Sequence, residues 1–183
     1  MIVLVYGPEG SGKTTQAVLL SRILGIPLIQ SGGLVRDEIR KKSPVGEICE
    51  ESAKAGKYVD DEIVNTLILG RLSGEDCKNG FILDGFPRHY PQLLALKKFL
   101  AEKNQHIDKV VYITIPEEES IKRLMIRGRA DDTPELIRSR LQNFHQGAQP
   151  ILDEYKKEGL VEEIDGTPTI EQIHQEVVKR VRS

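Results

Sequence analysis

Residues Gly7-Pro8-Glu9-Gly10-Ser11-Gly12-Lys13-Thr14 satisfy the spacing GxxxxGK[ST]. Each position has a chemical reason. Glycines let successive backbone N–H groups turn inward and form an anion cradle. A helix opening after the loop adds the positive end of its dipole. Lys13 reaches a terminal phosphate as a point charge, and the Thr14 hydroxyl is a hard oxygen donor suited to Mg²⁺. The pattern predicts a site for a nucleoside triphosphate but does not distinguish a kinase from a GTPase or a motor.

A second constellation narrows the choice. Gly80-Phe81-Ile82-Leu83-Asp84 reads as a buried strand ending in an acid, followed by Gly85-Phe86-Pro87-Arg88. In proteins with such a phosphate loop, an acid here helps hold Mg²⁺, usually through water. An arginine directly after the turn aims a bidentate donor at the phosphates. That is odd for a motor and sensible for an enzyme whose acceptor also carries a phosphate. Such an acceptor brings about two negative charges beside those of the donor, and both must be neutralised and aligned. Lys13, Arg36, Arg88, Arg127, Arg129 and Arg140 are the available cations. No Ser/His/Asp or Cys/His arrangement stands out, and none is needed if the acceptor's own oxygen attacks. His89, His106, His145 and His174 are scattered and read as surface residues, with His89 near enough to Arg88 to touch a substrate.

These groups need a scaffold. Ile2 to Tyr6 is a short continuous apolar run of the kind a parallel sheet buries. Pro27 to Ile29, Phe81 to Leu83 and Val110 to Ile115 share the pattern, and Val161 to Ile164 is a weaker fifth. Between them apolar residues recur at helical spacing: Ala17, Leu20 and Leu24; Leu93, Leu96 and Leu100; Ile121, Leu124 and Met125; Ile170, Ile173, Val177 and Val181. Alternating strands and helices predict an α/β domain with a central parallel sheet and ligands at the strands' carboxyl ends. Residues 33–73 break the rhythm with a helical, polar stretch, read as a plain insertion or a substrate-binding arm. Residues 127–133 form a short polar loop, after which Thr133 and Pro134 make a good N-cap and first helical residue.

The 183-residue length fits one compact domain with small mobile insertions. Apolar and charged fractions of 39% and 30% are those of a globular chain. A net charge of −2 offers no global field for a nucleic-acid backbone. Cys49 and Cys77 form no CxxC pair, so neither a disulfide framework nor structural zinc is expected, and a reducing cytoplasm fits best. No apolar run approaches the length of a membrane span.

The pairing of GPEGSGKTT with GFILDGFPR resembles the adenylate kinase and nucleoside monophosphate kinase family. The likeness covers nearly the whole chain. Ser31-Gly32-Gly33-Leu34-Val35-Arg36 resembles the family's S/T-G-D-x-x-R segment, and Gly56 to Glu62 its G-x-x-V-x-D-E segment. Arg129-Ala130-Asp131-Asp132 with Arg140 resembles R-x-D-D…R, and Asp165 to Pro168 the late D-G loop. The resemblance implies a P-loop NTPase fold with a five-stranded parallel sheet. It also implies a core of residues 1–30, 74–126 and 134–183, an acceptor arm over about 31–73 and a minimal lid at about 127–133. The implied catalytic residues are Lys13, Arg88, Arg127, Arg129 and Arg140. ATP would be bound by Gly10, Ser11, Gly12, Lys13, Thr14, Thr15, Arg123, Arg127, Gly166 and Pro168, with Arg123 stacked on the base. AMP would be bound by Ser31, Gly32, Arg36, Lys57, Val59, Gly85, Arg88, Gln92, Arg129 and Arg140. Mg²⁺ would lie at Thr14 and Asp84, and Asp131 and Asp132 would orient the arginines. The partners implied are ATP and AMP, with a monomer favoured.

Gln92 bears on the acceptor. Its amide offers a donor and an acceptor together, which suits the adenine edge. UMP/CMP kinases typically carry Asn after the clamp arginine and Ala at the place of Ser31, whereas this chain has His89 and Ser31. AMP is therefore expected, with UMP or CMP as the alternative. A P-loop kinase for a sugar or shikimate would not require Arg88 with Gln92, and a non-catalytic sensor or simple ATPase would not need every catalytic cation. Two departures stand out. Gly33 replaces an acid that supports the Mg²⁺ water shell, so metal affinity or rate should be lower. Only Gly128 separates Arg127 from Arg129, so the lid has little chain with which to exclude water, and ATP hydrolysis should leak.

Overall fold

The computed structural model describes residues 1–55, 57–128 and 132–183. Five parallel strands form the sheet: β1 (Ile2–Tyr6), β2 (Leu28–Gln30), β3 (Phe81–Asp84), β4 (Lys109–Thr114) and β5 (Val161–Asp165), in the order β2-β3-β1-β4-β5. All five lie where the apolar runs predict, with β2 one residue later and β4 one residue earlier than the sequence suggests. The order places β1 at the centre and pairs Val5 with Asp84. The phosphate loop and the acid therefore leave adjacent strands at the same edge.

Successive residues of β1 face opposite layers, as the pleat requires. Val3 and Val5 pack with Ala17, Leu20, Ile173 and Val177 from α1 (Lys13–Leu24) and α8 (Ile170–Arg182). Ile2, Leu4 and Tyr6 pack with Ile68, Leu93 and Ile151 from α4 (Asp61–Leu72), α5 (Tyr90–Glu102) and α7 (Pro134–Lys157). Burial on both faces is why the strands read as unbroken apolar runs. Helical spacing overstates the core at two places: Met125 is 48% and Ile170 52% exposed. Met125 lies on α6 (Glu117–Arg127), whose buried side is carried by Leu124 against Ile137 and Leu141 of α7.

The polar stretch before β3 is helical. It comprises α2 (Ser31–Lys41), α3 (Pro44–Lys54) and α4, followed by a 3₁₀ turn at Glu75–Cys77. Local caps set these starts. Ser43 Oγ accepts from the Gly46 N–H at 3.0 Å, and Asp60 accepts from the Glu62 N–H at 2.8 Å. Thr133 caps α7 through the Leu136 N–H, with Pro134 at its first turn, as the sequence predicts. Among the described residues no helix is long and apolar enough to cross a membrane.

Candidate active site

The phosphate loop joins β1 to α1. Gly12 sits at φ +85° at the start of α1, and a Cβ there would meet nothing within 4 Å. Glycine is thus required by the backbone conformation, not by crowding. Lys13 Nζ donates to the Pro8 carbonyl at 3.3 Å. Burial pushes the Lys13 ammonium below its ordinary value, and Arg88 and Arg127 push it the same way, while Asp84 and Glu9 partly offset this. A polyanion bound here would relieve that crowding of cations.

Thr14 and Asp84 are brought together, with the hydroxyl donating to Asp84 Oδ2 at 2.6 Å. Gln30 Nε2 donates to the same oxygen at 3.3 Å. A hydroxyl beside a buried carboxylate is a donor set that fits a hard divalent cation. At Gly33 an added Cβ would meet Gln30 Cβ at 3.5 Å and Gln30 Oε1 at 3.9 Å, which are ordinary contacts. Nothing steric reserves that position for glycine, and Gln30 is the side chain beside it that reaches Asp84.

At the turn after β3, the Gly85 carbonyl accepts from Ser31 Oγ at 2.6 Å and from Arg88 Nε at 2.9 Å. Gly85 has φ +77°, and a Cβ would fall 2.8 Å from Ser31 Oγ and 3.1 Å from Arg88 Nη2. Only glycine permits this carbonyl to hold both groups. The Arg88 guanidinium lies over the Tyr58 ring, 5.0 Å from its centroid. Arg36 is exposed and faces the same cleft as Lys13, Arg88 and Arg127. Next to it lies a pocket lined by Ser31, Gly32, Lys57, Val59, Arg88 and Gln92. Gln92 is 2% exposed, so it is no solvated helix residue. Its Oε1 accepts from the Arg88 N–H at 2.7 Å, and its Nε2 donates to Asp61 Oδ1 at 2.7 Å.

At the end of α6, Arg127 grips Asp132 through two bonds, Nε at 3.0 Å and Nη2 at 2.7 Å. Arg140 Nη1 lies 3.4 Å from both Asp132 Oδ1 and Glu9 Oε2. The Asp132 side chain is 1% exposed, so it is an internal anchor for both arginines. Arg123 is committed to the loops, donating to the Gly166 carbonyl at 2.9 Å and the Gly10 carbonyl at 3.5 Å, with Glu119 at 2.8 Å. It ties the phosphate loop to the late D-G loop. Thr15 and Pro168 are exposed, whereas Ser11 is fully buried. Gly56, Arg129, Ala130 and Asp131 lie outside the described residues, and with them the expectations for Arg129 and Asp131.

The histidines do not all lie on the surface. His106 and His145 are exposed. His89 is half-buried, with Nδ1 2.8 Å from Asp61 Oδ1, and His174 is half-buried with Nδ1 3.1 Å from Gln16 Oε1. Sequence reasoning missed Gln30, Tyr58, Asp61 and the Glu9 carboxylate as contributors. Asp61 carried a signal as the fixed acid of the G-x-x-V-x-D-E segment, whereas Tyr58 and Glu9 fall at variable positions of their motifs.

Comparison with known proteins identifies the family. The family model described as "Adenylate kinase" matches residues 5–160. The chain is 37% identical to the adenylate kinase of Nocardia farcinica over 98% of each chain. It is 37% identical to that of Bifidobacterium longum over 99% of this chain and 100% of the relative. It is 34% identical to that of Archaeoglobus fulgidus over 97% and 96% respectively. With a family match over most of its length, and relatives that it spans almost end to end, the chain belongs to the adenylate kinase family.

Proposed function

We propose that this protein transfers the terminal phosphoryl group of ATP to AMP, giving two ADP. The observation that carries the reading is one cleft lined by Lys13, Thr14, Arg36, Asp84, Arg88 and Arg127, adjoining a pocket where Gln92 offers an amide. Such a pair of spaces fits a triphosphate meeting a base-bearing monophosphate. Lys13 and the loop N–H groups bind the donor phosphates, and Arg36 and Arg88 clamp the acceptor phosphate. Arg127 and Arg140, with Arg129, stabilise charge on the moving group. Thr14 and Asp84 would hold Mg²⁺, Asp84 through water, and the ion would neutralise phosphoryl oxygens. The acceptor's phosphate oxygen attacks directly, so the protein supplies alignment and charge and needs no covalent intermediate.

The division into a core, an acceptor arm over about 31–73 and a lid over about 127–133 belongs to the same proposal. So does a monomer working in the cytoplasm on small molecules, without nucleic-acid or membrane partners. The net charge of −2 supports the absence of a nucleic-acid partner. The test is ADP formation from Mg-ATP with AMP, dAMP, CMP, UMP and GMP in parallel, beside an acceptor-free control. AMP should give the fastest turnover by a wide margin. A preference for CMP or UMP would overturn the base assignment. Turnover equal to the acceptor-free control would overturn the kinase reading.

A further inference from the structure

Gln92 is held from both ends by partners whose roles cannot be exchanged. The Arg88 backbone N–H can only donate, so the atom it meets at 2.7 Å must be the amide oxygen. A carboxylate oxygen can only accept, so the atom 2.7 Å from Asp61 Oδ1 must be the amide nitrogen. Turning the amide over would set a donor against a donor and an oxygen against a carboxylate. Asp61 is itself held, because its Oδ1 meets His89 Nδ1 at 2.8 Å. The His89 ring in turn packs edge-on against Tyr58 at 5.1 Å between centroids.

We propose that Asp61, backed by His89, is a positioning residue that locks the Gln92 amide in the orientation matching the adenine edge and mismatching a 6-oxopurine. The argument is one of valence. A primary amide has two N–H groups and two oxygen lone pairs, and these contacts use one of each. One donor and one acceptor remain, in a fixed order, for a base in the pocket that Gln92 lines. Adenine presents an amino donor at C6 and an acceptor at N1. Hypoxanthine and guanine present an acceptor and a donor at the same two places. A freely turning amide would serve either edge equally. A locked one leaves buried polar groups unpaired with the wrong base, and such mismatches discriminate strongly.

This inference rests on the proposal that the acceptor base occupies that pocket, and the experiment separates the two. The quantity to measure is the ratio of kcat/KM for AMP to that for IMP, in the full chain and in Gln92→Leu, Asp61→Ala, Asp61→Asn and His89→Ala. Asp61→Ala should lower the ratio severalfold by loosening the amide, which the Arg88 N–H then holds from one end only. Asp61→Asn, whose oxygen can still accept from Nε2, should retain most of it. His89→Ala should lower it about two- to threefold, and it decides the matter should Asp61→Ala fail to fold. A purely structural role would depress both nucleotides alike and leave the ratio in place, which would overturn the lock. If Gln92→Leu itself leaves the ratio unchanged, the pocket assignment fails. If Gln92→Leu collapses the ratio and neither Asp61→Ala nor His89→Ala moves it, only the lock fails.

Discussion

Two groups of cations face one cleft and are held by opposite means. On the acceptor side Arg88 rests on the neutral Gly85 carbonyl and the Tyr58 ring. Arg36 there has no hydrogen bond or ion pair with any described residue. On the lid side Arg127 and Arg140 are tied to the carboxylates of Asp132 and Glu9. Neutral partners fix direction without cancelling charge, so Arg88 keeps its full charge toward any anion in the cleft. Carboxylate partners cancel charge while the cleft is empty and then compete with incoming phosphates. The first arrangement is a standing trap. The second is conditional on an anion that competes with those carboxylates.

The comparison can be broken most severely at Arg88. Arg88→Ala should lower kcat/KM for AMP by about 10³-fold, while ATP affinity, read by calorimetric titration, stays within a few-fold. Wild-type kinetics in that variant would end the acceptor-clamp assignment. Lys13→Ala should lower turnover about as much, but with loss of donor binding as well. At Asp132 the expectation differs in kind. Asp132→Asn removes a buried anchor, so it should lower kcat by about tenfold and stability by about 1–3 kcal/mol. Urea unfolding with an unchanged slope would register the second effect. A loss of activity without loss of stability would make the lid side resemble the acceptor side.

Lys13 lies between the two groups and offers a subtler probe. Its ammonium is held below the ordinary lysine value by burial first, with Arg88 and Arg127 contributing. Between that depressed value and about pH 10.4, the folded chain carries fewer protons at Lys13 than the unfolded chain. The sign therefore runs toward stability lost as pH falls through this window. ATP, by restoring the charge, should be bound with proton uptake there. Titrations within this window, in buffers of different ionisation enthalpy, should show net proton uptake that disappears at lower pH, where Lys13 is already charged. The smallest effect belongs to Glu9. Glu9→Gln removes one competing anion at 3.4 Å, so ATP should bind about two- to fivefold tighter, and less so at high salt.

The strands were legible because a parallel sheet buried on both faces leaves short β-branched runs, and the phosphate loop because its glycines and lysine are contiguous. Thr133 and Pro134 announced α7 by local chemistry alone. The site's supporting contacts were not legible, because they join distant parts of the chain. Glu9 meets Arg140 across 131 residues, and Gln92 meets Asp61 across 31. Spacing rules see only near neighbours, so they found the arginines and Asp132 but missed Glu9 beside Arg140 and Asp61 beside Gln92. Periodicity likewise cannot tell which end of a helix leaves the sheet, and so Met125 and Ile170 fit the helical pattern but lie at the surface.

The contact between the Arg88 N–H and the Gln92 amide has a metric consequence. The residue proposed to grip the phosphate and the residue proposed to grip the base are four positions apart, joined by a direct hydrogen bond at the start of α5. Arg88 lies just before α5 and Gln92 in its first turn, so the contact fixes the one residue against the other. If both residues act as proposed, the pocket is a calliper whose jaws are tied by this bond, gauging the span from base to first phosphate. A nucleoside without phosphate would then close one jaw only. On this reading the chain selects its acceptor by length as well as by hydrogen bonding.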